Sequence, residues 1–347
     1  MTSRLGVIVV TFNSAEIILD CLESLLAAHG TALSIAVVDN ASGDATVPLI
    51  QAWARGETPY APPADLPFAL TPCARPVPLD GSAHAATGHR IALIELDTNT
   101  GFAGGVNAGL AHLAADPEID RFWVLNPDTV TPPETPAAFA GAPVPDAGFS
   151  LMGGRVLYYN TPEIIQIDGG TINRKTGVTG NLGLGRRHDQ TPPSRPEDMD
   201  FITGASMVVS RAFYEAAGPM PEDYFLYYEE VDWAMRRGDL PFAYCPGGIV
   251  YHRAGTAIGS PTLDRPASPF SQYFKHRGRL MFIRRHLPGS LLTAQLYTLA
   301  KAAQLALKGY RREAMALVAG SLNRPAPREV TDRLPPEVCR RALGLAS

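Results

Sequence analysis

The strongest constraint on this chain is a rhythm of short β-branched runs, each ending in a polar turn. Gly6 to Val10 (GVIVV) reads as a strand buried on both faces. A turn with Thr11, Phe12 and Asn13 follows, and Ser14 is placed to cap a helix running to Ala28. Ser34 to Val38 (SIAVV) is a second strand that closes on Asp39 and the turn Asn40-Ala41-Ser42-Gly43. Strand, helix and strand within about 35 residues make the βαβ unit of a parallel sheet. Ile91 to Leu96 and Arg121 to Leu125 repeat the pattern. They lead into the glycine-rich stretch Asn99 to Gly109 and into Asn126-Pro127-Asp128-Thr129. In open α/β sheets ligands gather beyond the carboxyl ends of the strands, so the four turns are predicted to meet at one site.

Elsewhere the rhythm breaks. Gly56 to Arg90 is rich in Pro, Ala and Gly without clear periodicity and reads as an insertion or mobile loop. Met152 to Gly185 carries short strands and many glycines. Phe201 to Ser210 reads as a strand entering a helix, and Glu229 to Arg237 as a helix. Beyond Pro269 the pattern is helical, with a long segment from Ser290 to Ala319.

Charge and cysteine content exclude several classes. A formal charge of −4 argues against a general nucleic-acid binder, so no nucleic-acid partner is expected. From Phe270 to Gly320, however, nine Lys or Arg face one acidic residue, Glu313, a local charge of +8. Such a patch suits phosphates or an anionic membrane surface, and a solvated basic face explains it equally well. The four cysteines show no CxxC spacing, which points to a reducing cytoplasm and supports neither a zinc site nor a disulfide framework. No apolar run reaches the roughly 18 residues of a spanning helix.

Five features carry chemistry. A carboxylate at a strand end, Asp128, can hold a divalent cation against a diphosphate, although an Asx-Pro turn also explains the tetrapeptide. Asp39 can accept hydrogen bonds from a ribose or base edge, or cap its own turn. The glycines from Gly101 to Gly109 can let backbone N–H groups approach a ligand, or serve a structural turn. The densest cluster is Tyr227-Tyr228-Glu229-Glu230-Val231-Asp232-Trp233-Ala234-Met235-Arg236-Arg237. On a helix, Glu229, Asp232 and Arg236 share one stripe, which could be ordinary surface ion pairs or an acid–base site beside a phosphate-binding cation. His252 follows a short apolar segment, where a lone histidine is more often a structural hydrogen-bonding residue than a ligand.

In order, these blocks resemble the family-2 glycosyltransferases of the GT-A fold, most closely the bacterial rhamnosyltransferase-like members that build surface polysaccharide. The series is VIVVTFN (Val7 to Asn13), VVDNAS (Val37 to Ser42), NTGFAGGVNAG (Asn99 to Gly109), LNPDT (Leu125 to Thr129), the segment Phe201 to Arg236, and His252. The resemblance implies an α/β, Rossmann-like, mostly parallel central sheet flanked by helices. It implies a catalytic domain over residues 1–265, with a nucleotide-sugar half near 1–130 and an acceptor half near 150–265. A helical C-terminal extension over 270–347 would follow.

The same resemblance implies roles. Thr11, Phe12, Asn13, Asp39, Asn99, Gly101, Phe102, Asn107, Asn126 and Asp128 would bind a nucleoside-diphosphate sugar. Asp128 and His252 would hold Mg²⁺ or Mn²⁺, with Asn126 standing where the family usually has a first acid. Glu230 would be the base of an inverting transfer, in place of the family's usual aspartate. Glu229 and Asp232 are possible substitutes, and Arg236 would face the diphosphate. The acceptor would be a glycan or a lipid-linked sugar, reached from the cytoplasm at the inner face of the membrane, with the basic C-terminal helices as a peripheral contact. A homo-oligomer is left open. Two other readings remain: a catalytically silent GT-A-like binding protein, and a nucleotidyltransferase, against which the absence of a phosphate loop near the N-terminus argues.

Overall fold

The computed structural model describes residues 4–253 and 266–343. The N-terminal part runs β1 (Arg4–Thr11), α1 (Ile18–Leu26), β2 (Leu33–Asp39), α2 (Thr46–Arg55), β3 (Asp80–Ala83), β4 (Arg90–Glu95), α3 (Gly101–Ala114) and β5 (Ile119–Leu125). The middle part adds β6 (Thr129–Val130), α4 (Thr135–Gly141), β7 (Leu151–Tyr158), β8 (Ile165–Ile167), β9 (Gly170–Ile172) and β10 (Thr179–Asn181). It continues through β11 (Ser206–Ser210), α5 (Arg211–Ala217), α6 (Glu229–Ala234) and β12 (Ala243–His252). The extension is α7 (Pro269–His286), α8 (Leu291–Leu307), α9 (Arg311–Ser321), α10 (Arg328–Thr331) and α11 (Pro336–Leu343).

The main sheet has the order β3-β4-β2-β1-β5-β11-β7-β12-β6, with β8 beside β7. Its four N-terminal strands β4, β2, β1 and β5 are parallel. The second half is not: β11 runs antiparallel between β5 and β7, while β7 and β12 are parallel to each other. The sheet is therefore mixed rather than mostly parallel. The five residues SMVVS of β11 are all buried, and a buried run reads the same in either direction.

Strand β1 shows why this sheet can hold two cores. Val7 and Val9 face one side with Trp53, Trp123 and Phe139, while Ile8 and Val10 face the other with Val106, Leu110 and Phe122. Both sides are covered by helices, so the β-branched run finds apolar partners on each face. A third cluster joins Phe225 to Phe270 and Phe274 of α7, Val330 of α10 and Val338 of α11.

Several local expectations need correction. Ser14 does not cap α1: its hydroxyl donates to the Phe12 carbonyl, its own carbonyl accepts from Ile17 and Ile18, and the helix starts at Ile18 and ends at Leu26. The glycine-rich stretch is no loop but the first turns of α3. A Cβ at Gly105 would collide with the Val10 side chain and one at Gly109 with that of Ile8. These glycines bring helix backbone down onto β1, a packing role.

The segment 56–90 is fastened to the body rather than detached. Arg75 pairs with the buried Glu23 and lies 4.3 Å over the Trp53 ring. Tyr60 donates to Asp20 at 2.8 Å, and β3 joins β4 at the sheet edge. The long C-terminal helical run breaks at Lys308 to Tyr310 into α8 and α9.

Candidate active site

The ends of the parallel strands open into a cavity of ≈ 360 Å³. Phe12 follows β1, Asn40 follows β2, Asn99 follows β4, and Asn126, Pro127 and Asp128 follow β5; all of them line it. Asn40 ties two of these turns together. Its amide donates to the Gly101 carbonyl at 2.9 Å, and its Oδ1 accepts from the Thr100 N–H at 2.8 Å. Gly101 and Phe102 bring the start of α3 to the wall.

The opposite wall comes from the second half of the chain. Antiparallel β11 places Thr203 to Ala205 beside the end of β5, and β12 delivers His252 next to Asp128. The turn before α6 is held in an unusual backbone. Phe225, Tyr227 and Tyr228 have φ of 66°, 68° and 74°, values that L-residues avoid at a cost of order 1–2 kcal/mol each. The Phe225 carbonyl accepts from the Phe102 N–H at 3.1 Å, and Tyr228 donates to the Gly177 carbonyl at 2.8 Å. This bent turn aims Glu229 and Glu230 into the cavity.

Electrostatics divide α6 into two faces. Glu229 is buried, and its Oε2 has no hydrogen-bond partner among the described residues. Burial, reinforced by the charge of Glu230, raises its pKa well above the carboxylate range. Burial also raises Glu230, opposed in part by the positive charge of Lys275. On the other face Asp232 accepts from Tyr224 at 2.7 Å, Arg236 at 3.0 Å, Arg285 at 2.7 Å and His286 at 3.0 Å. Burial works against its charge, but the hydrogen bonds from Tyr224, His286 and Arg285 outweigh it and lower its pKa.

A smaller cavity of ≈ 150 Å³ adjoins the first and shares Thr203, Ala205, Tyr227, Glu230 and His252 with it. Lys275 of α7 faces Glu230 across this space, with Gln166, Thr179 and Asn181 on its other walls.

Comparison with known proteins fits this architecture. The model of the family "Glycosyl transferase family 2" matches residues 6–61. Over 200 residues the chain is 27% identical to the low-salt glycan biosynthesis hexosyltransferase Agl10 of Haloferax volcanii, a match covering 54% of this chain and 58% of that protein. The chain thus spans little more than half the length of that curated relative. In three dimensions it resembles mannosyltransferase PcManGT of Pyrobaculum calidifontis, solved with GDP-Man and Mn²⁺, at TM-score 0.51 and 15% identity over 95% of this chain and 88% of that one. TarS 1–349 of S. aureus gives TM-score 0.50 and 14% identity over 98% and 88% of the two chains. The chain is similar to the family-2 glycosyltransferases over residues 6–61 and shares the fold of these solved structures. The relationship is to the family and its GT-A fold, and none of these matches singles out a rhamnosyltransferase subgroup.

Within a glycosyltransferase-like frame, the residues expected from the sequence separate into two sets. Phe12, Asn99, Gly101, Phe102, Asn126, Asp128, Glu229, Glu230 and His252 meet at the cavity. Thr11, Asn13, Asp39, Asn107, Asp232 and Arg236 are not on its wall. Thr11 and Asp39 are register partners at the strand ends, and their Oγ1 and Oδ1 are buried without a hydrogen bond to any described residue. Asn13 is engaged with the turn after β2, accepting from the Gly43 N–H at 2.8 Å. Asn107 donates to the Met220 carbonyl at 2.9 Å and to Glu222 at 3.0 Å, which fixes the turn before α6. Arg236, expected at a diphosphate, is held by Asp232 four residues before it.

Metal ligation has a modest basis. Among the described residues no group of three or more His, Cys, Asp or Glu side chains could hold an ion. His252 Nε2 lies 3.1 Å from Asp128 Oδ1, and its Nδ1 meets Gln166 Oε1 at 2.8 Å. Burial opposes a charged imidazole here, but the charge and hydrogen bond of Asp128 outweigh it and raise the pKa. The Asp128 carboxylate is the kind of single protein ligand that Mg²⁺ or Mn²⁺ keeps beside nucleotide phosphates, whereas His252 could ligate an ion only in its neutral form, after giving up the proton it shares with Asp128.

Sequence reasoning missed Asn40, Thr203, Tyr227, Lys275 and Arg333 on the walls of these cavities. Asn40 and Tyr227 stood in a turn and a cluster already singled out, and Thr203 in the family-like segment, without a role assigned; Lys275 and Arg333 have no local pattern that would have marked them.

Proposed function

We propose that this chain is an inverting glycosyltransferase that moves a sugar from a nucleoside-diphosphate sugar to a hydroxyl of a glycan or lipid-linked acceptor. The observation that carries this reading is the meeting of buried Glu229 and half-buried Glu230 with Asp128 and His252 in one cavity at the strand ends. It agrees with the kinship to family-2 glycosyltransferases.

In this reading the nucleoside occupies the wall formed by Phe12, Asn40, Asn99 and Phe102. Thr11 and Asp39 lie beneath it with unsatisfied oxygens, each costing roughly 1–3 kcal/mol until a partner arrives. Asp128 and His252 would hold a divalent ion, whose contribution when bound is to neutralise charge on the departing diphosphate. Glu230 takes the proton from the acceptor hydroxyl, which requires its ionised form; a base whose pKa is raised toward neutrality accepts a proton more readily. Glu229, whose burial favours its protonated form, would repel a diphosphate less than an exposed carboxylate would.

The domain division is part of the proposal: a catalytic unit over residues 1–265, built from donor and acceptor halves, with the extension over 270–347. So is the cytoplasmic location. Among the described residues no helix is long and apolar enough to cross a membrane. Leu292, Leu296, Leu299 and Leu307 form an exposed stripe on α8 beside Lys301, Lys308, Arg311 and Arg312, which supports contact with an anionic membrane surface. Replacing the four leucines with serine should abolish sedimentation with anionic liposomes; unchanged sedimentation would remove this contact from the reading. A rhamnosyl donor rests on the sequence resemblance alone.

Product analysis tests the reaction. Incubated with a panel of nucleotide sugars including dTDP-rhamnose, the protein should release nucleoside diphosphate and form a glycosidic bond of inverted anomeric configuration. Release of pyrophosphate would assign it to nucleotidyl transfer, and a retained anomer would overturn the single-displacement step.

A further inference from the structure

We infer that the C-terminal extension is part of the binding site itself, and that Arg333 is the residue that grips the diphosphate of the donor. This rests on the nucleotide-sugar reading above and adds a residue to it. The larger cavity carries three carboxyl groups, Asp128, Glu229 and Glu230, on its wall. A diphosphate entering there brings further negative charge and needs cations to meet it. Arg236 cannot serve from where it stands, because Asp232 holds it on the other face of α6. Among the described residues that line this cavity, Arg333 is the one lysine or arginine.

Its placement is built into the extension. Arg333 follows α10, whose Val330 is fully buried against Phe225, Phe270 and Phe274. The Leu334 N–H donates to the Thr331 carbonyl at 3.0 Å, closing a turn around the arginine. Its guanidinium lies 5.0 Å from the centre of the Phe270 ring, and Phe270 also lines the cavity. No described carboxylate pairs with it within salt-bridge distance, in contrast to Arg285, Arg236 and Arg341 of the same neighbourhood. A guanidinium resting on an aromatic face keeps its charge and its fork of donors, the geometry that suits bidentate contact with phosphate oxygens.

The extension is also coupled mechanically to the acid pair. A Cβ at Gly278 of α7 would lie 2.6 Å from the Tyr227 carbonyl, so α7 presses directly on the bent turn that aims Glu229 and Glu230. Arg341 of α11 pairs with Glu222 at 2.6 Å, just before that turn. Loss of the extension would therefore disturb both the charge and the geometry of the cavity.

The test compares binding of nucleosides and nucleoside diphosphates to wild type, Arg333→Ala, Arg333→Gln and Arg333→Lys by thermal shift and calorimetry, after confirming that unliganded melting temperatures agree. Arg333→Ala and Arg333→Gln should weaken nucleoside diphosphates about ten-fold or more and leave nucleosides unchanged, the increment of one charge-assisted contact. Arg333→Lys should recover part of the loss. Equal affinity of wild type and Arg333→Ala for nucleoside diphosphates overturns the assignment. So does a rise only in KM for a phosphate-bearing acceptor, which would give the arginine to the acceptor instead. A wild-type protein that binds no nucleoside diphosphate overturns the parent reading rather than this one.

Discussion

The two faces of α6 carry the same kinds of residue and hold them in opposite states. Glu229 and Glu230 look into the cavity, where burial raises both pKa values. Asp232, one turn along, is just as buried, yet four donors hold it ionised below the carboxylate range. A carboxylate surrounded by donors is already satisfied and has nothing left to offer a substrate. In the cavity, Glu229 keeps its Oε2 without a partner among the described residues, and burial raises the pKa of both glutamates, which is the condition expected of groups kept for chemistry. Sequence stripes along a helix could not make this distinction, because Asp232 owes its state to Tyr224 and to Arg285 and His286 from the extension.

This contrast can be broken in a graded way. The largest effect should come from Glu230→Gln, which removes the base and should lower sugar transfer by about 10²–10⁴-fold with donor affinity retained. Transfer at the wild-type rate in a folded protein would end the assignment. Next, Asp232→Ala should strand Arg236 and His286, leave Arg285 with Asp223 alone, and cost ~2–3 kcal/mol in urea unfolding, less than a fully enclosed pair because Arg236 and Arg285 are 36% and 38% exposed. A variant of unchanged stability would show that the network is ornamental.

Glu229→Gln should act in the opposite sense. The folded-state pKa of Glu229 lies above its unfolded value, so the native chain binds its proton more tightly and stability falls as pH rises between the two. Removing the group should leave stability nearly unchanged near pH 4. At higher pH it should bring a gain that grows by roughly 1.4 kcal/mol per pH unit until the folded pKa is reached. A uniform loss at all pH values would contradict an acid whose pKa is raised by burial. The smallest effect should be that of Lys275→Met: without the cation, Glu230 should ionise at higher pH and the acid limb of kcat/KM should move upward, while Lys275→Arg restores it.

Much of the donor half was legible because each feature was local. The runs GVIVV and SIAVV stand at β1 and β2 with small changes at their ends, since β-branched continuity followed by a polar turn leaves few alternatives. The glycines of α3 were misread because Gly usually marks a turn. The four-residue spacing of Gly105 and Gly109, one helical face, was the signal for close packing on β1. The direction of β11 was invisible, as hydrophobicity carries no polarity. Asp128 and His252 are far apart in sequence and could be paired only through the family pattern, while Lys275 and Arg333 reach the cavities through packing that no local pattern encodes.

The most direct test of the central contrast is a pH titration of the side-chain carboxyl carbons by ¹³C NMR, with Glu229, Glu230 and Asp232 assigned by single substitution. The account predicts that Glu229 and Glu230 titrate above the ordinary carboxylate range and that Asp232 titrates below it. Three ordinary titrations, or an Asp232 that titrates with the glutamates, would contradict it.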